Sequence, residues 1–333
     1  MLASELAGFV RRLPKAELHI HIEGSLEPEM LFALARKHRV PIRYQSAGAV
    51  RRAYQFHDLQ SFLDIYYEGA AVLRDEEDFH ELTLAYLRRA HADGVVHAEI
   101  FFDPQTHTVR GIPLATVVNG IWTALQVGRR DLGISSLLIL CFLRHLPAEA
   151  AMLALEEALP FRDRIAGVGL DSSELGHPPS KFADVFARAR REGFRVVAHA
   201  GEEGPPAYIW EALEVLQVER IDHGVRCEGD KLLTKRLAER AIPLTVCPLS
   251  NVKLAVFERM GDHNLGRLLD AGLCVTINSD DPAYFGGYLL DNYVAAACAL
   301  GLSRPDLQRL AANSIQASFA EERAKRNWLA AIA

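Results

Sequence analysis

The chain has 333 residues, 50% of them hydrophobic, and a formal net charge of −6. That is enough apolar content to bury one large core, and Lys and Arg are scattered without a dense block, which argues against nucleic acid or an anionic membrane as partner. The five cysteines, Cys141, Cys227, Cys247, Cys274 and Cys298, are widely spaced with no C-x-x-C, so free thiols in a reducing cytoplasm are expected rather than a disulfide framework or a cysteine zinc ribbon.

The opening MLASELAGFVRR lacks the apolar core of a signal peptide, and no window approaches the ~18 unbroken apolar residues of a membrane span. The first predicted strand is AELHIHIE (16–23), where His19 and His21 stand two apart and so emerge on one face. Taken alone the pair is weak, since roughly 0.5 H-x-H matches are expected by chance in a chain with 13 histidines. Residues 24–90 follow, with EPEMLFALARKH and LQSFLDIYYEGAAVL predicting a helical insertion over the mouth of the fold. Seven further strands are predicted: VVHAEIFF (95–102), SSLLILCFL (135–143), AGVGLD (166–171), FRVVAHAG (194–201), RIDHGV (220–225), IPLTVCP (242–248) and LCVTINSD (273–280). Most are nearly continuous apolar runs, as strands buried on both faces are. Helical patterns separate them, such as KFADVFARARREG with Phe182, Val185, Phe186 and Ala189 on one stripe, and KLLTKRLAER with Leu233 and Leu237. Residues 282–333 supply the last helices. The alternation predicts an α/β fold, a (β/α)8 TIM barrel with a helical insertion after strand 1, as a single domain over 1–333. A doubly wound dinucleotide fold is disfavoured because GVGLDS carries Ser172 where the third glycine belongs.

A barrel gathers its strand ends on one face. Those ends carry His19 and His21, His199 in AHAGEE, His223 in IDHG, and Asp280–Asp281 in NSDDP. Three imidazoles and one carboxylate, His19, His21, His199 and Asp280, form a set suited to Zn²⁺ with room for a water. Four strand ends each carrying such a group by coincidence would have to meet four separate burial costs. Glu202, three residues after His199, is placed to shuttle a proton, the bland alternative being a solvated loop carboxylate. His223 reads as base or orienter of the water, or as a further nitrogen ligand. Asp281 points away from its neighbour Asp280 and so toward substrate. His97, His107 and His177 read as structural. Strand four ends without a Lys to bridge two ions, so one metal per chain is expected.

The motifs PKAELHIHIEGSLEPE, AHAGEE, RIDHGV, CPLSN and NSDDP together resemble the adenosine/adenine deaminase branch of the amidohydrolase superfamily over most of the chain. They differ from the H-x-E and P-C-x-x-C pattern of cytidine-type zinc deaminases. The resemblance implies a zinc-bound hydroxide attacking C6 of a 6-aminopurine and releasing ammonia. It implies that Glu202 protonates N1, that His223 positions and deprotonates the water, and that Asp281 bonds the purine near N7. Protonating N1 as the nucleophile arrives lowers the barrier of an addition that breaks ring conjugation. Nucleoside deaminases usually read H-x-H-L-D-G; here Glu23 stands in place of that Asp and is expected to reach into the space a ribose would need. The strand-four loop, DSSELGHPPS, also departs from their D-L-A-G-D-E, leaving Glu174 or Gly176 at the position of the glycine that contacts the purine. Both departures, with DPQTH and SDDPAYFGGY, resemble the bacterial adenine deaminases of the branch, and so imply adenine to hypoxanthine in cytoplasmic purine salvage. The alternatives are a deaminase of adenosine or another 6-aminopurine, a cyclic-amide hydrolase on the same barrel, and a silent metal-binding protein.

Overall fold

A computed structural model describes residues 3–332; Met1, Leu2 and Ala333 lie outside the described residues. Eight parallel strands run in sequence order: β1 (Lys15–His21), β2 (Val95–Phe102), β3 (Ser135–Leu143), β4 (Ile165–Asp171), β5 (Arg195–Ala200), β6 (Arg220–His223), β7 (Leu244–Val246) and β8 (Val275–Ile277). The sheet closes where Ile20 bridges Asp280, with His21 N–H donating to Asp280 O (3.0 Å) and Asp280 N–H to His19 O (3.0 Å). All eight expected strands are present, and the closed ring has no exposed edge to protect. The last strands are shorter than their apolar runs. Chain past β7 turns at Pro248, which donates no N–H and opens the helix Pro248–Lys253; chain past β8 bends to deliver Asp280.

The strands are buried along nearly their whole length, because helices cover the outside and side chains fill the inside. Phe101, Ile139, Cys141 and Val197 form a small apolar plug inside the ring. A bulge in β1 between Glu17 and Ile20 reverses the alternation. Glu17 consequently bonds Tyr86 on the outer helical layer, whereas His19 bonds Thr245 of β7.

Before β1, helix α1 (Ala3–Arg12) buries Leu6 and Val10. The insertion after β1 holds α2 (Pro28–His38), α3 (Ala47–Ala53), α4 (Leu59–Ala70) and α5 (Glu76–Ala92), with Asp58 and Asp75 each closing a capping box. Helix α4 lies over the barrel mouth. Its Leu59, Phe62, Leu63 and Tyr66 pack with Tyr284 and Phe285, just beyond β8, as an apolar cluster separate from the main core. Among the described residues no helix is long and apolar enough to cross a membrane, and all five cysteines are free thiols.

Candidate active site

The imidazoles of His19, His21 and His199 and the carboxylate of Asp280 converge at the carboxyl end of the barrel, with one ligand atom from each lying within 4.8 Å of the others. His19 Nε2 stands 3.1 Å from Asp280 Oδ1, and the Nε2 atoms of His21 and His199 face each other at 3.2 Å. The tautomer of His19 is fixed by its neighbours. Thr245 gives its hydroxyl proton to Asp222 Oδ1 (2.8 Å), so at 3.0 Å it accepts from His19 Nδ1–H. That leaves His19 Nε2 a lone pair, buried without a hydrogen-bond partner and aimed at the convergence point. His199 turns Nε2 inward, while its Nδ1 stands 3.8 Å from Asp222 Oδ2, beyond hydrogen-bond distance. Burial and the neighbouring rings of His19, His223 and His21 hold its pKa well below the usual value, so it is a neutral nitrogen donor. Burial would raise Asp280, but His19, His223 and His21 outweigh it and hold Asp280 ionised. Three imidazoles facing one carboxylate are the donor set of a divalent-ion site, and the four expected ligands fit one.

Two of the residues nearest this point carry backbone strain. His223 (φ +62°) and Asp280 (φ +64°) occupy the left-handed region at the ends of β6 and just beyond β8, a cost of about 1–3 kcal/mol each that persists where surrounding structure enforces it. His223 Nε2 lies 3.6 Å from Glu202 Oε2 and 3.8 Å from Asp280 Oδ2. Its other nitrogen ends a relay of hydrogen bonds. Leu265 N–H donates to His263 Nδ1 (3.0 Å), so His263 Nε2–H donates to Asn251 Oδ1 (3.2 Å), which turns the Asn251 amide nitrogen toward His223 Nδ1 (3.4 Å). Neutral His223 therefore carries its proton on Nε2, facing the site, and burial lowers its pKa to about 3.

Glu202 is buried with Oε1 unpartnered. Burial, then the charges of Asp280, Glu174 and Glu203, push its pKa well up, so it is a carboxylic acid with a proton to give. Asp281 is likewise raised, by burial and then by Asp280. A Cβ on Gly24 would stand 1.9 Å from Asp281 Oδ1, so only glycine lets the turn after β1 pass this carboxyl.

These groups wall a cavity enclosing about 380 Å³ of empty space, mouth included. Tyr66 and Tyr67 of α4 roof it, and Glu203 Oε1 accepts from Leu59 N–H (3.1 Å) at the start of that helix. Glu23 is not in the wall. Its Oε1 accepts from Asp103 N–H (3.2 Å) and from His107 Nε2 (2.8 Å), whose Nδ1 accepts from Arg110 (2.8 Å). The carboxylate is thus engaged beneath the wall, and the expected reach of Glu23 into the cavity is not seen. His107 is correspondingly a partner of the site, whereas His97 bonds Ser135 and Glu99, as a structural residue does.

Several functional groups escape sequence reasoning. Glu174 does not face the purine space; its carboxylate accepts four successive backbone N–H groups, from Gly201 (2.6 Å), Glu202 (3.1 Å), Glu203 (2.8 Å) and Gly204 (2.8 Å). It thereby sets the path of the loop that carries Glu202. Arg144, buried on β3's following turn, donates to His199 O (2.7 Å) and His177 O (2.9 Å). Asp103 and Asp171, at the ends of β2 and β4, line the cavity beside His21. Their positions at strand ends were the one available signal.

The family model for adenosine deaminase matches residues 14–333. The chain belongs to the adenosine deaminase family. Members similar to it include an adenine deaminase of Acinetobacter baylyi, 58% identical over 97% of this chain and 97% of that one. An adenine deaminase of Geotalea uraniireducens is 60% identical over 98% of this chain and 92% of its own length. Among solved structures, an adenine deaminase from Arthrobacter aurescens superposes with a TM-score of 0.95 at 51% identity, covering 96% of this chain and 98% of that one. An amidohydrolase of B. ambifaria with bound Zn superposes at 0.90 with 29% identity, covering 100% and 92%.

Proposed function

We propose that this chain is a hydrolase that converts adenine to hypoxanthine and ammonia, holding one Zn²⁺ on His19, His21, His199 and Asp280. The observation that carries the reading is the company Glu202 keeps: a buried carboxyl, pushed toward its protonated form by burial, at 3.6 Å from His223, beside the convergent histidines and under an apolar roof. A divalent ion held by that donor set would lower the pKa of a water there from ~15.7 toward ~7. The rest falls to the side chains. Glu202 gives its proton to N1, which makes C6 electrophilic. His223 offers Nε2–H and orients the attacking oxygen; its Nδ1 is held as an acceptor by Asn251, which supports orientation over proton abstraction. Asp281, kept protonated, donates to N7. Glu23 acts on the purine pocket through Asp103, whose backbone it holds. The α4 tyrosines and phenylalanine exclude bulk water, strengthening each of these contacts.

The adenine deaminase relatives, the small cavity and a purine-sized substrate agree, and such a reaction belongs to cytoplasmic purine salvage. Ammonia release from adenine, adenosine and other 6-aminopurines, with and without chelator, tests the reading. Higher kcat/KM on adenine, abolished by chelation, is expected; preference for adenosine sinks the free-base assignment.

A further inference from the structure

Asp171 is 3% exposed, lines the cavity, and has no hydrogen-bond partner at either Oδ1 or Oδ2. An acceptor stripped of water and left unpaired is costly unless a ligand completes it. Across from it Asp103 also turns an unpartnered Oδ1 into the same space, its Oδ2 being occupied by Tyr66 O–H (3.1 Å). His21 Nδ1 is 3.5 Å from Asp171 Oδ2 and 3.9 Å from Asp103 Oδ1, neither within hydrogen-bond distance. The end of β4 is held rigidly: Ser172 sits in the left-handed region (φ +74°) with its Oγ bonded to Tyr67 (2.9 Å) and His145 (2.7 Å).

The order of the strands says which part of a purine meets these carboxyls. Going round the ring from C6, the heteroatoms run N1, N3, N9, N7. Going round the barrel from His223 on β6, the strands run β5 with Glu202, β4 with Asp171, β2 with Asp103, and β8 with Asp281. With N1 at Glu202 and N7 at Asp281, the N3/N9 edge faces β4 and β2. On the deaminase reading above, on which this step rests, we infer that the facing carboxyls of Asp171 and Asp103 together receive the N9–H of the free base and select base over nucleoside. Adenine has a donor at N9. A nucleoside has a carbon there, which leaves the Asp171 oxygens unpaired and drives a sugar against the Tyr66 and Tyr67 roof. Glu23 and its His107–Arg110 relay hold the Asp103 backbone and so act as positioning residues for this edge.

The test compares adenine with 9-methyladenine on wild type, Asp171→Asn and Asp171→Ala, each assayed for bound zinc. Wild type is expected to prefer adenine by about 10²-fold or more in kcat/KM, since a site built for a donor rejects analogues lacking it. In the variants the KM for adenine should rise about 10-fold or more with kcat nearly kept, and the preference for adenine should collapse. A zinc-replete variant whose preference stays within about twofold of wild type overturns the inference. Should both variants misfold, calorimetry on wild type decides: hypoxanthine must bind more tightly than 9-methylhypoxanthine, and equal binding overturns it. Failure of wild type to release ammonia from adenine would instead sink the deaminase reading itself.

Discussion

Replacing Glu174 with Gln keeps the shape of the side chain and removes its ability to accept on both sides. The wild-type carboxylate takes one N–H on Oε1, from Gly201 at 2.6 Å, and three on Oε2. The amide oxygen will settle where three donors point, which sets its NH2 against the Gly201 N–H. One charge-assisted bond worth about 1.5–3 kcal/mol is lost and a buried donor is orphaned at about 1–3 kcal/mol. The remaining three bonds weaken as the acceptor loses its charge. A net destabilisation of about 3–5 kcal/mol follows, and with roughly 2 °C per kcal/mol for a chain of this size the Tm should drop by about 6–10 °C. The loop that shifts carries the Glu202 carboxyl, and a displacement near 1 Å costs on the order of 10²-fold in rate. Because the N1 proton is needed in the transition state, the loss should appear in kcat, with KM little changed. Zinc content should be unaffected, since Arg144 holds the His199 carbonyl independently. Calorimetric melting, steady-state ammonia release and metal analysis on E174Q check each part. An unchanged Tm and kcat would refute the clamp, and loss of zinc with kcat per zinc preserved would reassign Glu174 to the metal site.

Glu202→Gln should lose about 10²–10⁴-fold in kcat while keeping its zinc, because Glu202 lies outside the convergent donor set; near-normal turnover would remove it from the reaction. Chelation should abolish ammonia release and lower the Tm, a metal at ~1,000 times its Kd being worth ~4 kcal/mol, and added Zn²⁺ should restore both; an apo protein with full activity refutes the metal assignment. Burial raises Glu17 from the usual 4.5 to about 7, against opposing bonds from Ser279 and Tyr86. The folded chain then binds more protons than the unfolded one between these values, so this contribution is full below pH 4.5 and is lost as pH rises through 7. The loss is about 3 kcal/mol. Urea unfolding at pH 5 and pH 8 should show that difference in wild type and not in E17Q; parallel changes in the two would show that Glu17 does not carry it.

Each of the eight strands was readable because apolar, β-branched runs buried on two faces leave a strong local trace. The convergence of His19, His21, His199 and Asp280 was readable because a barrel converts strand-end positions into proximity, so these candidate donors needed no loop geometry to be grouped. Groups that act through loop paths were not readable. Glu174 grips four amides only because the β4 and β5 loops meet. Glu23 lies one methylene from the role assigned to its shorter counterpart, yet the path of the Asp103 backbone draws it away from the cavity. The β1 bulge is invisible in AELHIHIE, where simple alternation puts Glu17 on the same face as the histidines. His107 looked like any isolated histidine until Arg110 and Glu23 closed around it.

The bridge that closes the barrel also dates the birth of the site. His19 and His21 are joined to Asp280 by backbone hydrogen bonds at the seam between β1 and β8, so the earliest and latest ligands to be synthesised are stitched together in one stroke. A nascent chain that has emerged past His199 holds three imidazoles but no seam to align them, and metal affinity requires geometry as much as ligands. On the proposed ligand set, a metal would therefore be held only once β8 is in place, and a truncated chain lacking β8 is expected to bind it poorly.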